Sequence, residues 1–464
     1  MGRLADGALL RTVAEVVAQL RRAGLHDLTH GDLGGSIARL TWPNLASQLL
    51  FMAPTLYDAV WLGRIGAGAQ AAAGLAISVR ITMISVLMGL SGASGAVVAR
   101  YVGAKDQQNA NLATLQSVIL MLVSSSTLGV IGVIFAEPLM RLGGADAETL
   151  PLAVRYARIL FGGLIAMEMV PSVGGMLSGI GAPQVWLEMT AWVTGVMLIA
   201  EPLLVTWLGL EGAVLALTGA HAVAMVWGLR QLVVGRAPVR IDLHDLRLDF
   251  PMMQRVLRIA APTIIQRGTP NLAMTLLTRF IAVYGAAALA AWTVVQRVFG
   301  FAQVPGMALS RVSPAIVGQN LGARQPERAE RGVNLVMWIT LIVTGIVLGA
   351  LVIFAPHVFA LFSDDAEATA IGVQMLRVLS LGYLANTLTL VLNGAQIGAG
   401  DTVAPMLINI VALWVIQIPL VFLFSQVLRL GVTSIWVALV IGWLAQLGLL
   451  MYRQRQGVWK LKQV

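Results

Sequence analysis

The chain of 464 residues contains no cysteine. Neither a disulfide framework nor a thiolate metal site is possible, and the redox compartment is unreadable. Charge is scarce: 11% of residues are Asp, Glu, Lys or Arg, against 58% hydrophobic. That balance excludes a soluble protein of this size and indicates a polytopic membrane protein. There are 5 histidines, and His221 is the one that falls inside an apolar span, where it reads as a packing residue rather than a proton relay. An enzyme would need a nucleophile–base pair or metal ligands, so enzymatic function and a metal site are disfavoured. No cleavable leader is visible, since residues 1–40 hold only short apolar runs broken by Arg11, Arg21 and Arg22.

What the sequence has in quantity is hydrophobic runs. From Thr41 onward twelve spans are each long enough to cross a bilayer at about 1.5 Å per residue. They cover roughly 42–63, 69–98, 112–136, 149–180, 186–207, 210–232, 256–284, 287–318, 333–355, 369–397, 402–425 and 432–452. The 48 glycines suit membrane helices that approach closely. Ahead of the first span, Leu9, Val13, Val16, Val17 and Leu20 have helical spacing, which predicts an amphipathic surface helix; a disordered tail is the alternative.

The longest internal polar stretch, RAPVRIDLHDLRLDFPMMQR at 236–255, divides the chain into two sets of six spans. The sets are repeats at an offset of 219 residues, which carries Pro43 onto Pro262, Gly66 onto Gly285, Gly103 onto Gly322, Arg158 onto Arg377 and the GIG at Gly179 onto the GAG at Gly398. The expected organisation is a tail (1–40), an N-lobe (41–235), a linker (236–255), a C-lobe (256–452) and a second tail (453–464). An even number of spans per half sets both in one orientation, as two parallel six-helix repeats around a central cavity with a pseudo-twofold along the membrane normal. Basic residues concentrate in both tails, in the central break and in the loops holding Lys105 and Arg324, while Glu137, Asp146, Glu148, Asp364, Asp365 and Glu367 sit on the opposite side. This places both termini in the cytoplasm. The net charge of +9 is thereby a topology signal, and nucleic acid is not an expected partner.

Charges inside spans are few and unevenly shared. A charge at the bilayer centre costs roughly 2.5–3.5 kcal/mol on insertion scales, so a retained one is either used or balanced. The buried acids, Asp58, Glu168 and Glu201, all lie in the first half. Asp58 is the leading candidate for ion coupling; the alternative is a near-surface residue paired with Arg64. Glu201 sits beside Pro202, which frees a backbone carbonyl nearby. For Glu201 and Glu168 the alternative is an ion pair with a helix arginine. The second half has Arg267, Arg279, Arg297, Arg311 and Arg377 within or near its spans, together with amides of which Asn271, Gln296, Asn386 and Asn393 are candidates to line a substrate cavity. Pro43 and Pro54 are candidate bend points in the first span. Because low dielectric disfavours the charged form of a carboxylate, a buried one can load a proton on one side and release it on the other.

The first span ends LYDAVWLGRIG, the second is followed by GASGAVVARYVGAKD, and the eighth by VGQNLGARQPERA. With twelve spans in two repeats, this pattern resembles the multidrug and toxic compound extrusion (MATE) family over about residues 40–452, closest to the prokaryotic branch with the DNA-damage-inducible members and the archaeal exporters. The resemblance implies export of bulky, lipophilic, often cationic compounds by antiport with H⁺ or Na⁺ in alternating access. It implies a first-helix aspartate, matched by Asp58, and a fifth-helix acid in an Asn-x-x-x-Asp-Pro pattern, matched by Glu201–Pro202 with Met197 in place of the Asn. A fourth-helix tyrosine is matched by Tyr156. The Na⁺-linked branch has acids in helices seven and ten, where this chain has none near Pro270 and Asn386, so H⁺ coupling is favoured, with Na⁺ at the same N-lobe site as the alternative. A second alternative is a flippase of lipid-linked intermediates or polysaccharides. The expected setting is a monomer in a bacterial or archaeal plasma membrane, in contact with the lipid bilayer and without a cofactor.

Overall fold

A computed structural model describes residues 28–234, 239–242, 245–360 and 366–462. The surface helix expected at 8–20, Arg236, Asp364 and Asp365 lie outside the described residues. Twelve helical spans follow in order: α1 Leu33–Ile65, α2 Ala67–Gly103, α3 Gln107–Ile134, α4 Leu150–Gly162 plus Leu164–Gly179, α5 Pro183–Leu208, α6 Leu210–Val234, α7 Phe250–Ala282, α8 Ala286–Ala302 plus Val304–Gly322, α9 Pro326–Ile353, α10 Ala366–Ala399, α11 Val403–Val427 and α12 Thr433–Arg455. α4 bends by 50° and α8 by 48° at their breaks. The break in α4 falls at Gly163, which packs on α6 so closely that a Cβ would lie 2.4 Å from Thr218 Cγ2. Counting each bent pair as one, ten spans are long and apolar enough to cross a membrane. α1 and α7, 33 residues each, are diluted by prolines and polar groups: Pro43, Asn44, Ser47, Pro54 and Asp58 in one, Pro262, Gln266, Arg267, Pro270 and Asn271 in the other. α1 also begins earlier than its apolar run, because Asp32 caps it by accepting the Gly35 amide at 2.6 Å. That bond, with a second from Gly34, holds the Asp32 carboxyl below its usual pKa.

The duplication is written in the backbone. Adding 219 takes the bounds of α2 onto those of α8, and Gln107–Ile134 onto Pro326–Ile353. Of the three described residues other than glycine with positive φ, two are related by the same step: Lys105 at 59° and Arg324 at 58°. Gly66 and Gly285, at 141° and 96°, and Gly181 and Gly400, at 87° and 78°, form two more pairs. These turns close each repeat in the same way, and glycine reaches such angles without a Cβ penalty.

Both described chain ends lie on one face of the bundle, here the terminal face. There α2 and α8 cross across the pseudo-twofold. A Cβ on Gly103 would lie 2.1 Å from Gln319 O, and one on Gly322 would lie 2.1 Å from Arg100 O. Arg100 and Gln319 are themselves 219 residues apart. At the crossing point a Cβ on Gly318 would meet the Cβ of Ala99, its own repeat partner, at 2.7 Å. Small residues are required here because the helix backbones touch.

The halves also exchange their leading segments. Met252, Val256, Ile259 and Ala260 of α7 belong to the apolar core of the N-lobe, whereas Leu277 and Ile281 further along belong to the C-lobe core. Reciprocally, Leu28, Ile37 and Leu40 pack with Leu309, Val312, Ile316 and Val336 of the C-lobe. Hydrogen bonds between the lobes gather on the terminal face. Leu28 N donates to Gln319 Oε1 at 3.0 Å, and Asn320 and Arg328 donate to Leu28 O at 3.2 and 3.0 Å. Gln319 Nε2 donates to Ile180 O at 2.8 Å, and Arg100 of α2 reaches Ala399 O at 3.3 Å and Lys462 O.

Candidate functional site

The site grows out of two prolines. In a helix, proline at i leaves the carbonyl of i−4 without its amide donor. Pro54 does this to Leu50 in α1, and Pro202 does it to Leu198 in α5. The two helices pack together and reach toward each other's unpaired carbonyls: the Thr194 hydroxyl of α5 lies 3.2 Å from Leu50 O as well as 2.9 Å from Thr190 O of its own helix, and the Tyr57 hydroxyl of α1 lies 3.4 Å from Leu198 O. Tyr57 precedes Asp58 and Pro202 follows Glu201. These cross-helix contacts flank the stretch in which the two acids face one another.

Asp58 lies seven residues before the end of α1 at Ile65, Glu201 seven before the end of α5 at Leu208, and Tyr156 six after the start of α4 at Leu150. All three sit at one depth, about 10 Å in from the face opposite the termini at 1.5 Å per residue. Asp58 and Glu201 are 3% and 0% exposed, and Tyr156 is fully buried. Asp58 and Glu201 lie side by side, with Tyr156 in the same enclosed region. Asp58 Oδ1, both Glu201 oxygens and the Tyr156 hydroxyl are enclosed without a hydrogen-bond partner among the described residues. Two carboxylates in contact are acceptors only. They repel when both are charged, and a proton between them turns the contact into a hydrogen bond. Met197, buried at 1% exposure, supplies no polar group where the resemblance implies an amide.

The near-surface pairing weighed for Asp58 is not what the structure shows. Arg64 turns away and places its Cζ 4.8 Å from the Trp61 ring centroid. Glu201 makes no ion pair with an arginine among the described residues. Glu168 does: it is buried in α4 and held by Arg80 of α2, so its carboxylate is engaged in the alternative role weighed for it. His221 is buried, with Nδ1 2.8 Å from Leu217 O of its own helix. Pro43 lies inside α1, where the Ser47 hydroxyl donates to its carbonyl at 2.6 Å.

The C-lobe amides divide. Gln296 accepts from the Tyr383 hydroxyl of α10 and lies 3.7 Å from Met274 Sδ of α7. Tyr383 stacks on Phe299 with ring centroids 3.7 Å apart. Asn271 is exposed on α7, and Asn386 and Asn393 are half-buried on α10, Asn393 Oδ1 without a partner among the described residues. No single group unites the four. Sequence reasoning missed two contacts that bridge elements. One is the approach of Thr194 and Tyr57 to the opposite helix, detectable as a hydroxyl searched against each proline's i−4 carbonyl. The other is Arg311 of α8 over Trp186 of α5, with Cζ 4.2 Å from the ring centroid, which no local pattern announces.

Comparison with known proteins agrees with this architecture. The MatE family model matches residues 43–205 and 262–423, one match in each half. The probable multidrug resistance protein YoeA of Bacillus subtilis is 24% identical over 432 residues, covering 91% of this chain and 93% of the relative. The probable multidrug resistance protein NorM of Deinococcus radiodurans is 28% identical over 453 residues, covering 91% and 96%. A solved structure described as the outward-facing conformation of a multidrug resistance MATE family transporter of the MOP superfamily superimposes with a TM-score of 0.86 at 24% identity, covering 94% of this chain and 98% of that chain.

Proposed function

The chain belongs to the MatE family, and from that premise we propose that it is a secondary active exporter of small lipophilic organic compounds, driven by antiport with H⁺. The observation that carries this reading is the enclosed contact between Asp58 and Glu201, with Tyr156 beside it. A pair of carboxylates held together in a low-dielectric interior binds a proton without needing any other partner. Losing that proton puts two like charges in contact, and the structure around them must answer by separating α1 from α5 or by admitting water.

The excess of Arg and Lys on the terminal face orients it toward the cytoplasm. The interlobe bonds then close the cytoplasmic side, and the coupling pair sits enclosed in the outer part of the N-lobe. Alternating access follows as an exchange of this closure for one on the opposite face. Sodium would use the same oxygens of Asp58 and Glu201, because the acids of the C-lobe spans, Glu327, Glu330 and Glu367, lie in the first turns of α9 and α10. The family resemblance favours cationic substrates, whereas the arginines of the C-lobe favour the opposite charge.

The reading is tested in proteoliposomes by imposing H⁺ or Na⁺ gradients and following a fluorescent compound, ethidium or carboxyfluorescein. A proton gradient is expected to drive transport, and Asp58→Asn to abolish it with expression and fold intact. Full gradient-driven transport by Asp58→Asn contradicts the proposal, and transport driven by Na⁺ alone moves the coupling ion to sodium.

A further inference from the structure

Ion pairs take up cations in both lobes, but not two arginines of the C-lobe. In the N-lobe, Glu168 holds Arg80, and Glu211 holds Arg155 at 3.1 Å. In the C-lobe, Asp401 is taken by Arg453 at 2.8 Å and Glu330 by Lys460 at 2.6 Å, both near the terminal face. Arg267 of α7 and Arg311 of α8 have no carboxylate partner among the described residues. The repeat step gives them no counterparts either, since it lands on Gln48 and Gly92.

The Arg311 guanidinium belongs to the seam between the lobes, and Arg267 is carried by α7, which packs on α2 of the opposite lobe. Arg311 lies over the Trp186 ring of the opposite lobe. It also passes Gly175 of α4, where a Cβ would lie 3.6 Å from its Nη1 and 2.6 Å from Ser91 Oγ. Arg267 is adjacent to Gly268, which packs against α2 with a Cβ position 3.7 Å from Ser85 Oγ. Arg267 is accessible. The Trp186 indole N–H, enclosed beside Arg311, has no acceptor among the described residues. Two cations without counter-charges inside a membrane protein are unfavourable unless something negative joins them. A guanidinium seated over an indole ring can still offer its N–H fork to a planar, two-oxygen acceptor.

We propose that Arg267 and Arg311 form an anion-recognition subsite at the interlobe seam, so that the exported compound carries a carboxylate, sulfonate or phosphate on an apolar or aromatic body. This deepens the exporter reading and rests on it. The acidic group would bridge the two guanidinium groups while the body lies along the apolar and aromatic walls. A lipid headgroup and a free organic anion share this chemistry.

The experiment is equilibrium binding to the purified full-length transporter in detergent, with carboxyfluorescein as the anionic probe and ethidium as the cationic one, both read by fluorescence anisotropy. Wild type is expected to bind carboxyfluorescein. Arg267→Gln and Arg311→Gln are each expected to weaken that binding about tenfold, the scale of one charge-assisted hydrogen-bonded contact. Arg311→Lys, which keeps the charge without the flat fork, should lose less, and its unchanged Tm would show that the fold survives at this position. Ethidium binding should be unchanged or tighter in the glutamine variants. The proposal is overturned if wild type fails to bind carboxyfluorescein, or if both glutamine variants bind it as wild type does. Competition with short-chain phosphatidylglycerol then assigns the source: displacement of carboxyfluorescein identifies a lipid headgroup, and its absence a free solute, each with the subsite retained. Binding is read without a gradient. A failure of proton coupling therefore leaves this result standing, and a failure of the subsite leaves proton-driven ethidium transport standing.

Discussion

Asp58 and Glu201 are the two residues on which the coupling proposal turns, and their surroundings differ sharply from those of the third buried acid. Glu168 has a cation within bonding distance, and its charge is balanced. Asp58 and Glu201 have no cation paired with them among the described residues, and Asp58 Oδ1 and both Glu201 oxygens lack a hydrogen-bond donor there. The consequences of substitution therefore separate. Asp58→Asn should reduce gradient-driven transport to the background of empty vesicles, and Glu201→Gln should give a partial loss, both with near-normal melting temperature. Glu168→Gln should instead destabilise the protein, because removing one partner of a buried ion pair costs about 3–5 kcal/mol; thermal unfolding in detergent checks it, and Glu168→Gln combined with Arg80→Gln should recover part of the loss. The acids were legible in the sequence, since charges in apolar spans stand out. Which acid finds an arginine was not legible, because that depends on how α2 and α4 are rotated against each other.

Among the helices, α1 and α5 show how two prolines shape a contact. Pro54 and Pro202 each open a hole in the helix hydrogen-bond ladder, and a hydroxyl from the opposite helix approaches it, that of Thr194 shared with Thr190 O. Leaving a buried carbonyl unsatisfied costs about 1–3 kcal/mol. Thr194→Val should therefore lower stability by about 1 kcal/mol in the wild-type background. In Pro54→Ala, where residue 54 again donates an amide to Leu50, the same Thr194→Val change should be nearly neutral. A double-mutant cycle on thermal stability measures the difference, and an equal cost in both backgrounds would show that Thr194 does not serve this carbonyl. The prolines were visible as candidate bend points. Their donors were not, because they lie about 140 residues away in the chain, at 144 and 141 positions' separation.

At the scale of the whole molecule, the duplication was readable from glycines and basic residues at one offset, and the backbone repeats it angle for angle at Lys105 and Arg324. The exchange of leading segments between lobes was not readable. A hydrophobic pattern says that Ile37 and Val256 are buried, and only the tertiary fold says in whose core. The exchange gives the terminal face its closure through Leu28, Gln319, Asn320 and Arg328. Gly103→Ala should pry this face apart, because its Cβ would lie 2.1 Å from Gln319 O; Arg328→Ala should do so more mildly. Spin labels at Lys105 and Arg324, with distances read by pulsed electron resonance, should show a single short population in wild type and added longer distances in both variants. An unchanged distribution in Gly103→Ala would mean that the crossing of α2 and α8 does not hold the lobes together.

The coupling claim itself reduces to where a titratable proton resides. Infrared difference spectra of the purified transporter, taken between acid and alkaline pH in the carbonyl-stretch region of protonated carboxylic acids, observe that proton directly. We expect a titrating band in wild type and in Glu168→Gln, altered or lost in both Asp58→Asn and Glu201→Gln, since the two acids share it. A wild-type band that persists unchanged in both of those variants would contradict the account.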